Sequence, residues 1–223
     1  NRKQEWITNR ENALLVEGAR QVGKTYIIRK CLKESASSHA EFNLIQMEGL
    51  ASGLASISNT NDLIALLSLF TKNKLKKGSL IFIDEIQECP EFMTKIKFLV
   101  DEGAYRYIMS GSLLGVRLHG ISSAPVGYLD TLTMYPMDFE EFLQIYNFSD
   151  TTKAVLQEAF QKRIPVNEAI HDKMMSIFRT YLLVGGMPQA VDSFRENGNL
   201  ETVARIHENI ILQYRKDIAK YEQ

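Results

Sequence analysis

Over the first 135 positions, short apolar runs are separated by glycine or polar breaks, and their period switches between strand-like and helix-like. Residues 13–17 (Ala-Leu-Leu-Val-Glu) read as a strand that stops at Gly18, and the segment after Gly23 has helical character to about Leu32. Residues 41–47 alternate well enough for a second strand. Residues 63–75 follow as a helix with Leu63, Leu66, Leu67 and Phe70 on one side and Asn61 or Asp62 as its cap. Residues 79–84 are apolar without interruption between their two ends, as a parallel strand covered on both faces requires. Pro90 opens a helix to about Asp101, because its missing N–H costs nothing in a first turn. Strands at 105–110 and 129–135 complete the alternation, the latter bounded by Gly127 and Pro136. Strands alternating with helices predict a parallel sheet in an α/β domain.

Beyond Pro136 the period is helical throughout. Residues 138–146, 152–163, 167–183 and 200–221 read as helices, interrupted by Gly185-Gly186-Met187-Pro188. The last is the most periodic, and Ile206, Ile210, Tyr214 and Ile218 are expected to pack against the rest of a helical subdomain. The expected organisation is an α/β core over 1–135 and a helical subdomain over 136–223.

Composition adds exclusions. At 45% hydrophobic and 24% charged residues the chain reads as globular, and 26 Lys plus Arg against 27 Asp plus Glu leave no whole-chain field to attract nucleic acid. The apolar stretch 63–70 is interrupted by Ser68 and falls far short of the ~20 residues that span a bilayer. Cys31 and Cys89 lack CxxC spacing, and the four histidines lack H-x-x-x-H spacing, so neither a disulfide framework nor a zinc site is indicated. Two reduced cysteines and a start without a signal-like apolar segment lead us to expect a cytoplasmic protein with a trimmed or partly ordered N-terminus. The basic run 72–77 reads as the solvated end of a helix.

Candidate chemistry concentrates at strand ends. Gly18-Ala19-Arg20-Gln21-Val22-Gly23-Lys24-Thr25 matches G-x-x-x-x-G-K-[ST] at every fixed position, between a strand and a helix. Such a loop turns tightly enough to aim successive backbone N–H groups at phosphate oxygens, and the helix behind it adds the positive end of its dipole. Lys24 is expected to reach the β and γ phosphates of ATP and Thr25 to ligate Mg2+. Asp84 and Glu85 leave the apolar strand together; Asp84 is expected to orient magnesium and Glu85 to hold an attacking water. Ser110 and Ser112 end another core strand. Either could face the γ phosphate or water, Ser110 being preferred, and either could instead cap the segment 113–116. Trp6 and Ile7 could support an adenine ring or simply pack.

The series GARQVGKT, LIFIDEIQECP, YIMSGSLLGV, LTMYPMDFEEFL, YLLVGGMPQAV and ILQYRKDIAKYEQ resembles the bacterial and archaeal AAA-type ATPases whose core is followed by the domain of unknown function DUF4143. The resemblance covers nearly the whole chain. It implies that Gly18–Thr25 are Walker A, Asp84 and Glu85 Walker B, and Ser110 a polar sensor. It also implies a P-loop NTPase fold and contact with a further C-terminal region, with a homo-oligomer or a protein as a possible partner. Many relatives carry Gly-Arg where this chain has Gly127-Tyr128, so an arginine offered to a neighbour's phosphate is not identified; Arg117, Arg163, Arg179 and Arg215 stay open.

Two readings follow, an ATP-dependent switch with slow hydrolysis and a nucleotide-binding interaction module with almost none. A small-molecule kinase is disfavoured, since Glu85 beside Asp84 suits a water nucleophile better than a bound acceptor.

Overall fold

A computed structural model describes residues 12–35, 38–71, 75–112 and 127–221. Trp6, Ile7, residues 72–74 of the basic run, the segment 113–116 and Arg117 lie outside the described residues. Two compact units are present, residues 1–134 and 135–223.

The first unit is built on five parallel strands: β1 (Ala13–Gly18), β2 (His39–Asn43), β3 (Leu80–Asp84), β4 (Arg106–Ser112) and β5 (Leu129–Met134). Their order is β2-β3-β4-β1-β5. The chain leaves β1, passes over two positions to β2, and fills the gap with β3 and β4. Among the described residues four helices cover the sheet: α1 (Lys24–Ser35), α2 (Leu50–Ser56), α3 (Thr60–Leu69) and α4 (Pro90–Glu102). This is the α/β parallel-sheet class that the alternation predicts.

Strand alternation decides which face each helix covers. Leu15, Phe42, Ile81, Ile83 and Met109 join Leu50, Leu54, Leu63, Leu67, Phe92, Met93, Ile96 and Leu99 in the larger core. Val16, Leu80, Phe82 and Ile108 point the other way and meet Ile28 and Leu32 of α1. Both faces of β3 are therefore apolar, and all five of its residues are buried.

Several expected boundaries move. The second strand ends at Asn43 rather than Met47, because the Asn43 side-chain oxygen accepts the backbone N–H groups of Ile45 (3.1 Å) and Gln46 (2.9 Å) and turns the chain. Helix α3 is capped by Asn59, which accepts from the Asp62 N–H, not by Asn61 or Asp62, and it stops at Leu69. Helix α2 has no apparent signal of its own. It lacks a side-chain N-cap, but Lys95 of α4 donates to the carbonyls of Leu54 (2.6 Å), Ala55 (2.8 Å) and Ile57 beyond its end. A cation brought from α4 thereby satisfies otherwise orphaned acceptors.

The second unit contains α5 (Phe139–Leu143), α6 (Asp150–Lys162), α7 (Glu168–Val184), α8 (Pro188–Asn197) and α9 (Leu200–Tyr221). A reciprocal capping box of Asp138 and Glu141 starts α5, and Ser149 and Asn167 cap α6 and α7. Phe142, Ile177, Val184, Ala190, Val191 and Val203 form its core. On α9, Val203 and Ile210 are buried and Ile206 packs at the edge of the core, whereas Ile218 is 44% exposed, so the expected inward stripe does not extend to it. Helix α8, for which the sequence pattern predicts no element, starts at Pro188 immediately after the Gly-Gly turn.

That turn is held by close backbone contact. The Met137 N–H donates to the Gly186 carbonyl at 2.7 Å, and the Tyr181 hydroxyl donates to the Met137 carbonyl at 2.9 Å. A Cβ on Gly186 would lie 2.0 Å from the Met137 oxygen. Gly198, which ends α8 with φ 64°, faces open space. Gly186→Ala is therefore expected to destabilise the helical unit by about 3 kcal/mol or more, since two backbone segments must separate. Gly198→Ala should cost only about 1 kcal/mol, its left-handed backbone being the sole penalty. Denaturant midpoints of the two variants, monitored by helical circular dichroism, test this order.

Candidate functional site

The glycine loop leaves β1 at the carboxyl edge of the sheet and ends in the first turn of α1, where the Ile27 N–H already donates to the Gly23 carbonyl. Gly18 pairs in register with Met134 of β5, and a Cβ there would stand 2.2 Å from the Met134 oxygen. The neighbouring strand alone thus demands glycine at this position. Gly23 has φ 95° and Gln21 φ 62°, so the loop takes two left-handed steps within three residues. Buried Val22 anchors it between them while the Gln21 side chain is exposed. This is the kind of turning backbone that gathers N–H groups around an anion.

Register then aligns three polar residues. Asn43 pairs with Asp84 and Asp84 with Ser110, so an amide, a carboxylate and a hydroxyl end three adjacent strands in one row. They share the sheet face that carries α1, whose Thr25 completes the cluster. The Asp84 carboxylate is almost wholly buried. It accepts hydrogen bonds from the Thr25 hydroxyl (3.0 and 3.2 Å to its two oxygens), the Asn43 amide (3.3 Å), the Ser110 hydroxyl and the Glu85 backbone N–H (3.2 Å). A buried carboxylate persists where its lone pairs are met in this way.

Glu85 follows directly after the strand end. Its backbone is left-handed, with φ 60° and ψ 46°, a conformation that costs a non-glycine residue about 1–2 kcal/mol. A short 3₁₀ turn, Ile86–Glu88, follows. Within it Gln87 is 2% exposed; its side-chain NH₂ donates to Glu85 Oε2 and its side-chain oxygen accepts the Ser112 N–H at 3.2 Å.

The structure therefore gathers Thr25, Asp84 and Ser110 by direct hydrogen bonds, with Lys24 and Glu85 beside them. Ser112 enters this cluster through its backbone N–H, which donates to Gln87. Asn43 and Gln87 are members that sequence reasoning missed. Gln87 stood in view three residues after Asp84, but only the turn at Glu85 brings it back; Asn43 depends on sheet order.

Lys24 links the loop to the acids. Its ammonium donates to the carbonyls of Gly18 (3.1 Å) and Ala19 (2.8 Å). Burial pushes its pKa below the ordinary lysine value, Glu85 and Asp84 pull it back up, and Arg20 lowers it further. An anion seated in the loop would compete for this ammonium and relieve the penalty. As for a metal, Thr25 and Asp84 offer hard oxygen donors side by side, which fits magnesium. Among the described residues no group of three or more His, Cys, Asp or Glu could hold a metal. An ion here would therefore take most of its ligands from water and phosphate, as magnesium does.

A lowered lysine pKa has a defined sign in stability. The folded state holds the proton less well than the unfolded chain, so the penalty is full below the folded pKa and vanishes as pH rises past the unfolded value of 10.5. Relative to Lys24→Met, the wild-type protein is expected to gain stability as pH is raised from neutral toward that value. Paired denaturant titrations at the two ends of this range test it; a constant difference would be the contrary result.

Residues 10–143 match the family model AAA_14, an AAA domain, and residues 175–223 match a domain of unknown function, DUF8612. The second match corrects the resemblance to proteins carrying DUF4143. The motifs behind that resemblance, MYPMDFEEF and GGMP, are explained by local packing: Gly186 against Met137, and Phe139 and Phe142 against Tyr181. Such contacts build a helical core without specifying which domain accompanies it. The solved Orc1 protein of Aeropyrum pernix, in complex with DNA, is 14% identical with a TM-score of 0.43 over 87% of this chain and 63% of its own. PCH-2 of C. elegans is 10% identical with a TM-score of 0.48 over 94% of this chain and 63% of its own. The chain thus spans less than two thirds of the length of either. No curated protein has a detectable match to the sequence. Among the described residues no helix is long and apolar enough to cross a membrane. With its glycine loop, acidic strand end and a match extending over more than half its length, this chain belongs to the AAA_14 family of AAA P-loop domains.

Proposed function

We propose that the protein binds ATP with Mg2+ and hydrolyses it slowly, using the two nucleotide states as a conformational switch. The observation that carries this reading is the direct Thr25–Asp84 hydrogen bond, which brings the phosphate loop's hydroxyl onto the acid that precedes Glu85. An AAA domain with these groups adjacent has the parts that water attack on a γ phosphate requires.

In this reading the backbone from Gly18 to Thr25, with Ala19, Arg20, Gln21, Val22 and Gly23 between the fixed positions, cradles the phosphates. Lys24 exchanges its carbonyl partners for phosphate oxygens. Thr25 and Asp84 would hold magnesium, which supplies neutralising charge to the phosphates when bound. Glu85 orients water and accepts its proton, while Ser110 keeps the Asp84 carboxylate in place and senses its surroundings through that bond. Turnover is slow because many P-loop switches draw an additional positive group from a neighbour at the transition state. We further propose that the α/β core over 1–135 holds the nucleotide and that the helical subdomain over 136–223 carries the response. A cytoplasmic location and a homo-oligomeric or protein partner are part of the same proposal.

Lys24→Ala is expected to weaken ATP binding strongly, measured by calorimetry with and without magnesium. Glu85→Gln should keep ATP affinity within a few fold while single-turnover hydrolysis falls by roughly 10²-fold or more. Asp84→Asn should impair both metal-dependent binding and turnover. Wild-type turnover in Glu85→Gln would reject Glu85 as the base, and ATP binding without any phosphate release by the wild type would favour a binding module instead.

A further inference from the structure

We propose that Gln87 is the positioning residue for Glu85, a buried amide clamp that ties the acid to the backbone of β4. The inference rests on Glu85 acting as the base in the proposed reaction.

The orientation of the amide follows from chemistry. The Ser112 backbone N–H can only donate, so the group of Gln87 facing it at 3.2 Å is the carbonyl oxygen. The NH₂ must then point the other way, at Glu85 Oε2, where it donates to a carboxylate oxygen. Both ends of one side chain are thus assigned, and Gln87 is 2% exposed. Oε2 is committed to Gln87. Oε1 is the oxygen that remains to take a proton from water.

The geometry around the clamp supports the same role. Glu85 sits in a left-handed backbone conformation at the strand exit, and the 3₁₀ turn it begins brings Gln87 back beside it. A conformation that costs free energy persists where neighbouring contacts hold it. Strand β4 also contacts the other acid, since the Ser110 hydroxyl donates to Asp84. One strand end therefore holds both carboxylates, Asp84 through a hydroxyl and Glu85 through the Gln87 amide. A displacement of the end of β4 would reach the base by way of Gln87.

The test uses the whole protein with MgATP and two substitutions. Gln87→Met keeps the length of the side chain and removes both hydrogen bonds. Gln87→Glu keeps the acceptor for Ser112 but sets a second carboxylate against Glu85. Both are expected to lower kcat by about tenfold or more while ATP affinity stays within about threefold. In the Glu85→Gln background neither substitution should reduce turnover further, since the group they position is gone.

Equal fold losses in the wild-type and Glu85→Gln backgrounds would overturn the clamp while leaving Glu85 as the base. So would a fall in ATP affinity that matches the fall in kcat. Unchanged turnover in both variants would overturn it as well. Wild-type turnover in Glu85→Gln itself, or no turnover in the wild type, would instead remove the reading beneath it.

Discussion

The register of four parallel strands is the constraint on which the site depends. Asn43, Asp84, Ser110 and Val16 occupy equivalent rungs on β2, β3, β4 and β1, so a slip of one residue in any pair would turn a polar member toward the opposite core. The apolar residues preceding them forbid that slip. Ile81 and Ile83 belong to one core and Leu80 and Phe82 to the other, and both faces of β3 are closed by helices. Packing of the strand bodies thus places the chemistry at the strand ends.

Asp84 shows what this arrangement permits. A carboxylate so deeply buried would be strongly disfavoured without partners, yet hydroxyl and amide donors converge on it from α1, β4 and β2, and the Glu85 backbone N–H adds a fourth. Those donors are also groups that oxygen-seeking ligands can replace. In the proposed function, the same network that makes the buried acid tolerable in the fold would let it share oxygens with magnesium. Lys24 is in a comparable position on the opposite sign: its burial is offset in part by Glu85 and Asp84, so cation and acids stabilise one another across the loop.

The helical unit follows a different logic, with local signals at its helix starts and tertiary contact at its turns. Asp138 with Glu141, Ser149 and Asn167 are capping residues within a few positions of the N–H groups they satisfy. The Gly185–Pro188 turn instead depends on Met137, almost fifty residues earlier, whose backbone occupies the space a side chain at Gly186 would need. Residues placed by such packing describe a local core and not the domain that accompanies it, and GGMP and MYPMDFEEF pointed to the wrong one.

The sequence by itself determined the α/β class, the phosphate loop, the acidic strand end and most helices, because each is written in periodicity, caps or fixed spacing within about ten residues. Tertiary structure decided the rest. Helix α2 has carbonyls satisfied by Lys95 from α4, about forty residues away, and β2 stops where the Asn43 side chain captures the next two N–H groups, so neither boundary appears in a hydrophobic pattern. Asn43 joins the site only because β2 pairs with β3, and Gln87 because a left-handed Glu85 turns it back toward Ser112. Periodicity reports which face a residue occupies; which strand lies next to it is set by packing and hydrogen bonding across the whole sheet.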